Sequence, residues 1–206
     1  MKNVTTKVFR LVCVLLMFAV TAVMFDVNAG EAKTKKKEDT VILYFSATGT
    51  TKGAAQRIKK AVKGKMTEIK AAQPYTEEDL DYGEDDTRVT KEHESAESPA
   101  KSSVRPEIAN LNAIKKAVKK AKVVYIGYPI WWGEAPHIVY TLVENVNLKG
   151  KTVIPFCTSV SSGLGNSAKN LKTKALISSK TKWLKGRNFF DVPSQKTVDQ
   201  WVKNLK

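Results

Sequence analysis

The sequence predicts an α/β fold, in which a five-stranded parallel sheet carries helices on both faces. Three observations predict it. The strand candidates are continuous apolar runs with no polar alternation, so both faces of each strand are expected to be buried. Amphipathic helical patterns alternate with those runs along the chain. Each of three unusual loops, "SATGTTK", "PIWWGEAP" and "TSVSSGLGNS", falls at the carboxyl end of a predicted strand. That is where open α/β sheets bind their ligands.

The domain is expected to span 40–206. Ahead of it, Lys2, Lys7 and Arg10 form a basic start, Leu11 to Phe25 is apolar except for Thr21, and Val27-Asn28-Ala29 supplies small residues at −3 and −1. This is the pattern of a signal peptide over 1–29, cleaved near Ala29. The apolar run is 15 residues long, and roughly 20 are needed to cross a bilayer. A cleaved peptide is therefore preferred to an uncleaved anchor, and the mature chain is expected to be exported: secreted, periplasmic or at the cell surface, with no transmembrane span. Residues 30–39, "GEAKTKKKED", form a charged linker without apolar periodicity.

Within the domain, Val41 to Phe45 is the first strand, a short apolar run ended by turn residues. Ala54, Ala55, Ile58, Ala61 and Val62 then recur at helical spacing, and Gly64 is expected to close that helix. Thr67 to Lys70 is a weak second strand. Pro74 to Pro106 is polar, proline-broken and long for a loop, and is expected to be a functional or a mobile excursion. Pro106 is expected to open the next helix, with Leu111, Ile114, Val118 and Ala121 as its apolar stripe. Lys122 to Tyr128 is the next strand, His137 to Val146 a helix, and Thr152 to Cys157 a strand. A helix to about Ile177, a last strand in "WLKGRNFF" and a last helix over Val198 to Leu205 complete the pattern.

Composition narrows the function. Cys157 is the single cysteine after residue 29, so no disulfide framework is expected, and His93 and His137 with one cysteine cannot make a usual zinc site. H-E-x-x-H, C-x-x-C and G-x-S-x-G are all absent, which argues against a metalloprotease, thiol oxidoreductase or serine hydrolase. The formal net charge is +15, and loss of residues 1–29, with three bases and one acid, leaves about +13. Ten acids against Arg88 and Lys91 lie between Glu77 and Glu97, so the rest is more basic still. Such a field suits an anionic cell-surface polymer, anionic lipid or nucleic acid. A solvated surface is the preferred reading, and a nucleic-acid partner has only charge behind it.

The loops carry the chemistry. In the first, Ser46, Thr48, Thr50 and Thr51 surround Gly49 where a helix begins. Helix-start N–H groups are unpaired and carry positive dipole, so they can hold a phosphate with no cationic side chain. One N-cap needs one hydroxyl, and four exceed that need. In the second loop, Trp131 and Trp132 are adjacent, and neighbouring residues of an extended chain alternate faces. At least one indole should therefore offer a flat surface at the sheet end. The third loop brings Thr158, Ser159, Ser161 and Ser162 with Gly163 and Gly165, suited to a ring edge rich in acceptors.

"YFSATGTTK", "GYPIWWGEAP" and "PFCTSVSSGLG" resemble, in order, the three flavin-mononucleotide (FMN) loops of the flavodoxin-like family. The resemblance spans roughly Val41 to Leu205. It implies a doubly wound sheet of order 2-1-3-4-5. It also implies that Ser46, Thr48, Gly49, Thr50 and Thr51 bind the FMN phosphate. Tyr128, Pro129, Ile130, Trp131, Trp132 and Gly133 would line the isoalloxazine, and Thr158, Ser159, Ser161 and Gly163 would reach its pyrimidine edge. The implied function is electron transfer through FMN outside the cytoplasm, as a carrier or a flavin-dependent reductase, with a redox protein or small-molecule acceptor as partner. No acid–base residue is required for that, because the cofactor does the chemistry. The alternative is a non-redox module on the same scaffold that binds anionic polymers through its lysines.

Overall fold

In a computed structural model, residues 39–205 are described. The expected signal peptide and nearly all of the linker lie outside them. Six strands form one sheet: β1 (Thr40–Tyr44), β2 (Lys65–Glu68), β3 (Val123–Pro129), β4 (Thr152–Thr158), β5 (Lys182–Trp183) and β6 (Arg187–Phe189). The order is β2-β1-β3-β4-β5, with β6 also paired to β4, and every strand pair is parallel. The implied 2-1-3-4-5 topology is therefore the observed one.

Strand residues alternate between two cores. Val41, Leu43, Val124, Ile126 and Val153 face one, where α3 (Leu111–Lys120), α4 (His137–Asn145) and α5 (Ser167–Lys174) supply Ile114, Val118, Ile138, Leu142 and Leu171. Ile42, Tyr44, Tyr125, Ile154 and Phe156 face the other, covered by α1 (Thr50–Val62) and α6 (Gln195–Lys203) through Ala54, Ala55, Ile58, Val198 and Trp201. Burial on both faces is why the strands lack alternation. Among the described residues no helix is long and apolar enough to cross a membrane.

Three expectations change in detail. The last strand is split into β5 and β6. Val153 O accepts from Leu184 N–H, and Ser159 N–H donates to Phe189 O. Parity then aims Pro155 at the same neighbour, with no N–H to give. At Gly186 a Cβ would lie 2.5 Å from Pro155 O, so the fifth strand crosses this gap as glycine. The second difference is at the end of α1, where Lys63, not Gly64, takes the left-handed conformation (φ 51°). Gly64 is needed for space, because its Cβ would stand 2.8 Å from Ile42 Cδ1 and 2.9 Å from Thr40 O.

The third is that Pro106 does not open α3. Ile108 bridges Ala71, and Asn110 ties the helix start to the end of β2: its Nδ2 donates to Glu68 O and its Oδ1 accepts from Lys70 N–H. The excursion itself is folded, with a 3-10 turn at Glu78–Leu80 and a helix α2 (Arg88–Glu94) that the sequence pattern did not reveal. The Thr87 hydroxyl caps that helix by accepting from Thr90 N–H.

Candidate functional site

The three loops meet at the carboxyl edge of β1, β3 and β4. The β1–β3 pair is the reversal point of the strand order, since the chain runs outward to β2 and then returns. Loop contacts fasten them together. Phe45 N–H donates to Gly127 O, Ile130 N–H to Thr158 O, and a Cβ at Gly165 would come within 3.2 Å of Gly133 O.

In the first loop Gly49 is the N-cap of α1, at φ 94°, and it offers no side chain. The Ser46 hydroxyl takes that role by accepting from Gly49 N–H and Lys52 N–H (3.1 and 3.2 Å). Among the described residues the N–H groups of Thr50 and Thr51 have no acceptor, as expected for the first helical turn. Thr48 is exposed and Thr50 half-exposed. Thr51 is buried, and its hydroxyl is bonded to that of Thr158 at 2.7 Å. That bond ties α1 to β4, so Thr51 faces the site through its backbone.

The second loop is a two-residue hairpin. Trp131 and Glu134 exchange both backbone hydrogen bonds (2.9 and 3.0 Å), and the residues between them have positive φ, 47° at Trp132 and 80° at Gly133. This is the geometry of a type I′ turn. A tryptophan rarely adopts it, and here the indole is held from outside. It lies parallel to His93 (4.5 Å between centroids, 4° between planes) and tilted against Tyr82 (4.5 Å). The two indoles part company: Trp131 packs edge-on against Phe45 and Tyr75, whereas Trp132 stays 39% exposed. Pro129, Ile130 and Gly133 are half-buried around them. Tyr128 is fully buried, its hydroxyl 3.1 Å from that of Ser167, so only its backbone reaches the edge.

In the third loop Ser159 Oγ accepts from Ser162 N–H, and Ser159 N–H is bonded to Phe189 O. Ser161 is exposed, Val160 is 88% exposed, and Gly163 takes φ 63°. Cys157 lies beneath, with its thiol 3.2 Å from Asn188 Oδ1. Burial pushes that thiol up to about 12, so it stays protonated.

The sequence missed what surrounds the tryptophans. Tyr75, Tyr82 and His93 of the excursion are the aromatic partners, and the only advance sign was three rings in an otherwise polar stretch. Behind them the buried Glu92 accepts from Tyr75 Oη (2.9 and 3.0 Å) and Arg88 Nε (3.0 Å). Burial raises the Glu92 carboxyl, and those two donors oppose the rise. Glu134 anchors the hairpin by accepting from Asn170 Nδ2 (2.6 Å) and Tyr140 Oη (3.3 Å), and burial raises its pKa too. His137 is buried and donates from Nδ1 to Val104 O, and burial lowers its pKa. Glu92, Glu134 and His137 are thus each tied into the scaffold, the last through Nδ1 alone. Among the described residues no cluster could hold a metal ion.

The arrangement offers an anion seat at a helix start, an exposed indole beside it and a hydroxyl-bearing loop opposite. The flavodoxin family model matches residues 39–205. No curated protein matches the chain. An inferred flavoprotein from Bacteroides eggerthii is 39% identical, with a TM-score of 0.69, over 81% of this chain and 96% of its own. One from Bacteroides uniformis is 38% identical, with a TM-score of 0.66, over 82% of this chain and all of its own. A flavoprotein from Lactobacillus acidophilus, solved in complex with FMN, shares the fold at 20% identity and a TM-score of 0.53, over 80% and 99% of the two chains. With its sheet order, its three edge loops and this match along the whole described domain, the chain belongs to the flavodoxin family.

Proposed function

We propose that this protein binds FMN at the three loops and passes electrons through it outside the cytoplasm, as a carrier or a flavin-dependent reductase. The observation that carries this reading is the meeting of the loops at one sheet edge, with the N–H groups of Thr50 and Thr51 left without an acceptor.

The residues fit the cofactor. A phosphate at the start of α1 finds those two N–H groups, the hydroxyls of Thr48 and Thr50, and the positive end of the helix dipole. The strand-end position of Trp132 gives an aromatic ring an indole to pack on. Ser159, Ser161 and the backbone around Gly163 supply polar groups to a ring edge on the far side. Trp131, Phe45 and Tyr75 pack edge-on against one another and would give the cofactor an apolar floor. Bound FMN supplies one- and two-electron transfer, and the chain supplies binding, orientation and electrostatics. Export rests on residues 1–29 alone, and fractionation with amino-terminal sequencing of the mature protein tests it. A start near Gly30 in an extracytoplasmic fraction is the expected result.

The deciding experiment is titration of apo-protein with FMN and with riboflavin. FMN is expected to bind far more tightly, because riboflavin leaves the anion seat empty, and flavin emission is expected to be quenched. Trp132→Ala should restore part of the emission and weaken binding by roughly 1–2 kcal/mol. A colourless protein that FMN cannot reconstitute would overturn the reading. Anaerobic mixing with NADH or NADPH separates the two roles, since rapid bleaching marks a reductase and its absence a carrier.

A further inference from the structure

We propose that the amino edge of the sheet, opposite the three loops, docks on an anionic phospholipid surface and holds the loops facing away from it. The inference is independent of the flavin.

Strand register sets the face. Thr40, Val123, Thr152 and Lys182 stand in one row, so the strand starts lie level. Lys65 begins β2, and Lys122 and Lys149 stand just outside β3 and β4. The helices return against the strands and so end at this same edge, which adds Lys63 and Lys120. These six lysines, Lys182 included, are all exposed. The four ion pairs among the described residues, Arg88–Glu92, Lys91–Asp86, Lys101–Glu97 and Arg105–Glu144, all engage the excursion or the stretch leaving it, and none reaches these lysines. Among the described residues, Asp39 stands at this edge and Glu144 lies in the last turn of α4, the latter held by Arg105.

The opposite pole is acidic. The ten acids of Glu77 to Glu97 belong to the excursion, which leaves the carboxyl end of β2 and packs on Trp132. A negatively charged plane attracts one pole and repels the other, so the charge distribution selects an orientation as well as an affinity. A bilayer is the occupant that the level face and the chain entry favour. The chain enters the fold at Asp39, on this edge, and the sequence that precedes it carries Lys33, Lys35, Lys36 and Lys37 ahead of Glu38. Lysines near an anionic leaflet act together and are screened by salt.

The test uses residues 30–206, which correspond to the domain that the crystallised Bacteroides relatives comprise almost entirely. Sedimentation with vesicles of phosphatidylcholine alone, and with phosphatidylglycerol added, reads the partition at low and high salt. Binding is expected only with phosphatidylglycerol, and it should fall steeply as salt rises. The quadruple variant Lys120→Gln/Lys122→Gln/Lys149→Gln/Lys182→Gln should lose on the order of 100-fold in partition. Lys70→Gln/Lys101→Gln/Lys169→Gln/Lys196→Gln, with equal charge removed near the loop edge, should lose no more than a few-fold. Acrylamide quenching of tryptophan should be unchanged on the vesicles, because the exposed Trp132 faces water. Equal losses from both variants, no binding to either vesicle, or capture by soluble polyphosphate without vesicle binding would each overturn the proposal.

Discussion

Thr51 and Thr158 lie 107 residues apart, and their hydroxyls share a buried hydrogen bond of 2.7 Å. Removing one partner leaves the other buried without its mate, which costs about 1–3 kcal/mol, whereas removing both costs less than the sum. Thr51→Val and Thr158→Val are therefore expected to destabilise by similar amounts, and denaturant unfolding of the double variant should show a coupling of about 1 kcal/mol. Additive losses would mean the bond is not formed. The four hydroxyls of the first loop were legible in sequence, but the pairing of one with a distant loop was not, because no local pattern encodes it. His137 gives a second test at this scale. Burial lowers its pKa below the unfolded value of roughly 6.5. Above that value both states are neutral and the residue adds no pH dependence. Below it the unfolded chain takes up a proton that the folded one resists, so stability falls as pH drops toward the folded pKa. Glu92 and Glu134 have raised pKa values, and their contribution runs the other way, growing as pH falls. The difference between wild type and His137→Phe isolates the histidine: the variant's melting temperature should decline less, or rise more, between pH 7 and pH 5.

Apolar periodicity located β1, β3, β4, α1, α4 and α6 to within a few residues, because each buries its own regular pattern against a core. It failed where a partner sets the outcome. The split of the last strand originates in Pro155 on the neighbouring strand, and within "WLKGRNFF" only Gly186 marks the place. Helix α2 is short, and its buried residues, Val89, Thr90 and Glu92, include one carboxylate that is held there by Arg88 and Tyr75. Two glycines near strand ends test the packing explanation. At Gly186 the obstacle to a Cβ is the Pro155 carbonyl, which is backbone and cannot swing aside. Gly186→Ala is expected to cost about 1–3 kcal/mol in denaturant unfolding. Lys63 is the opposite case, a side chain carried at φ 51° where glycine is favoured. Lys63→Gly should stabilise by up to about 1 kcal/mol. Gly64→Ala, one residue later, should destabilise, because its Cβ would meet Thr40 O and Ile42.

Seen as a whole, the molecule separates its charge along the strand axis, and this changes what its net charge means for a cofactor at the loops. A formal charge of +15 suggests a positive field that would favour added negative charge on a bound flavin. The lysines of the amino edge, however, stand a strand length from the site. Seven residues of β4 span about 20 Å, roughly two Debye lengths at physiological salt. The acids of the excursion are closer, because Tyr82 and His93, which bracket four of them in sequence, touch Trp132 itself. Local carboxylates should therefore outweigh distant lysines and oppose the arrival of an electron. Salt screens that repulsion, so the midpoint potential of the bound flavin is expected to rise with ionic strength. A change on the order of 10–30 mV corresponds to about 0.2–0.7 kcal/mol at ~59 mV per ~1.4 kcal/mol, which is what a few partly screened surface charges supply. Spectroelectrochemical titration from low to high salt measures it, and Asp81→Asn/Glu84→Gln/Asp85→Asn should raise the low-salt potential while flattening the salt dependence. A potential that falls as salt is added would show that the remote lysines dominate after all.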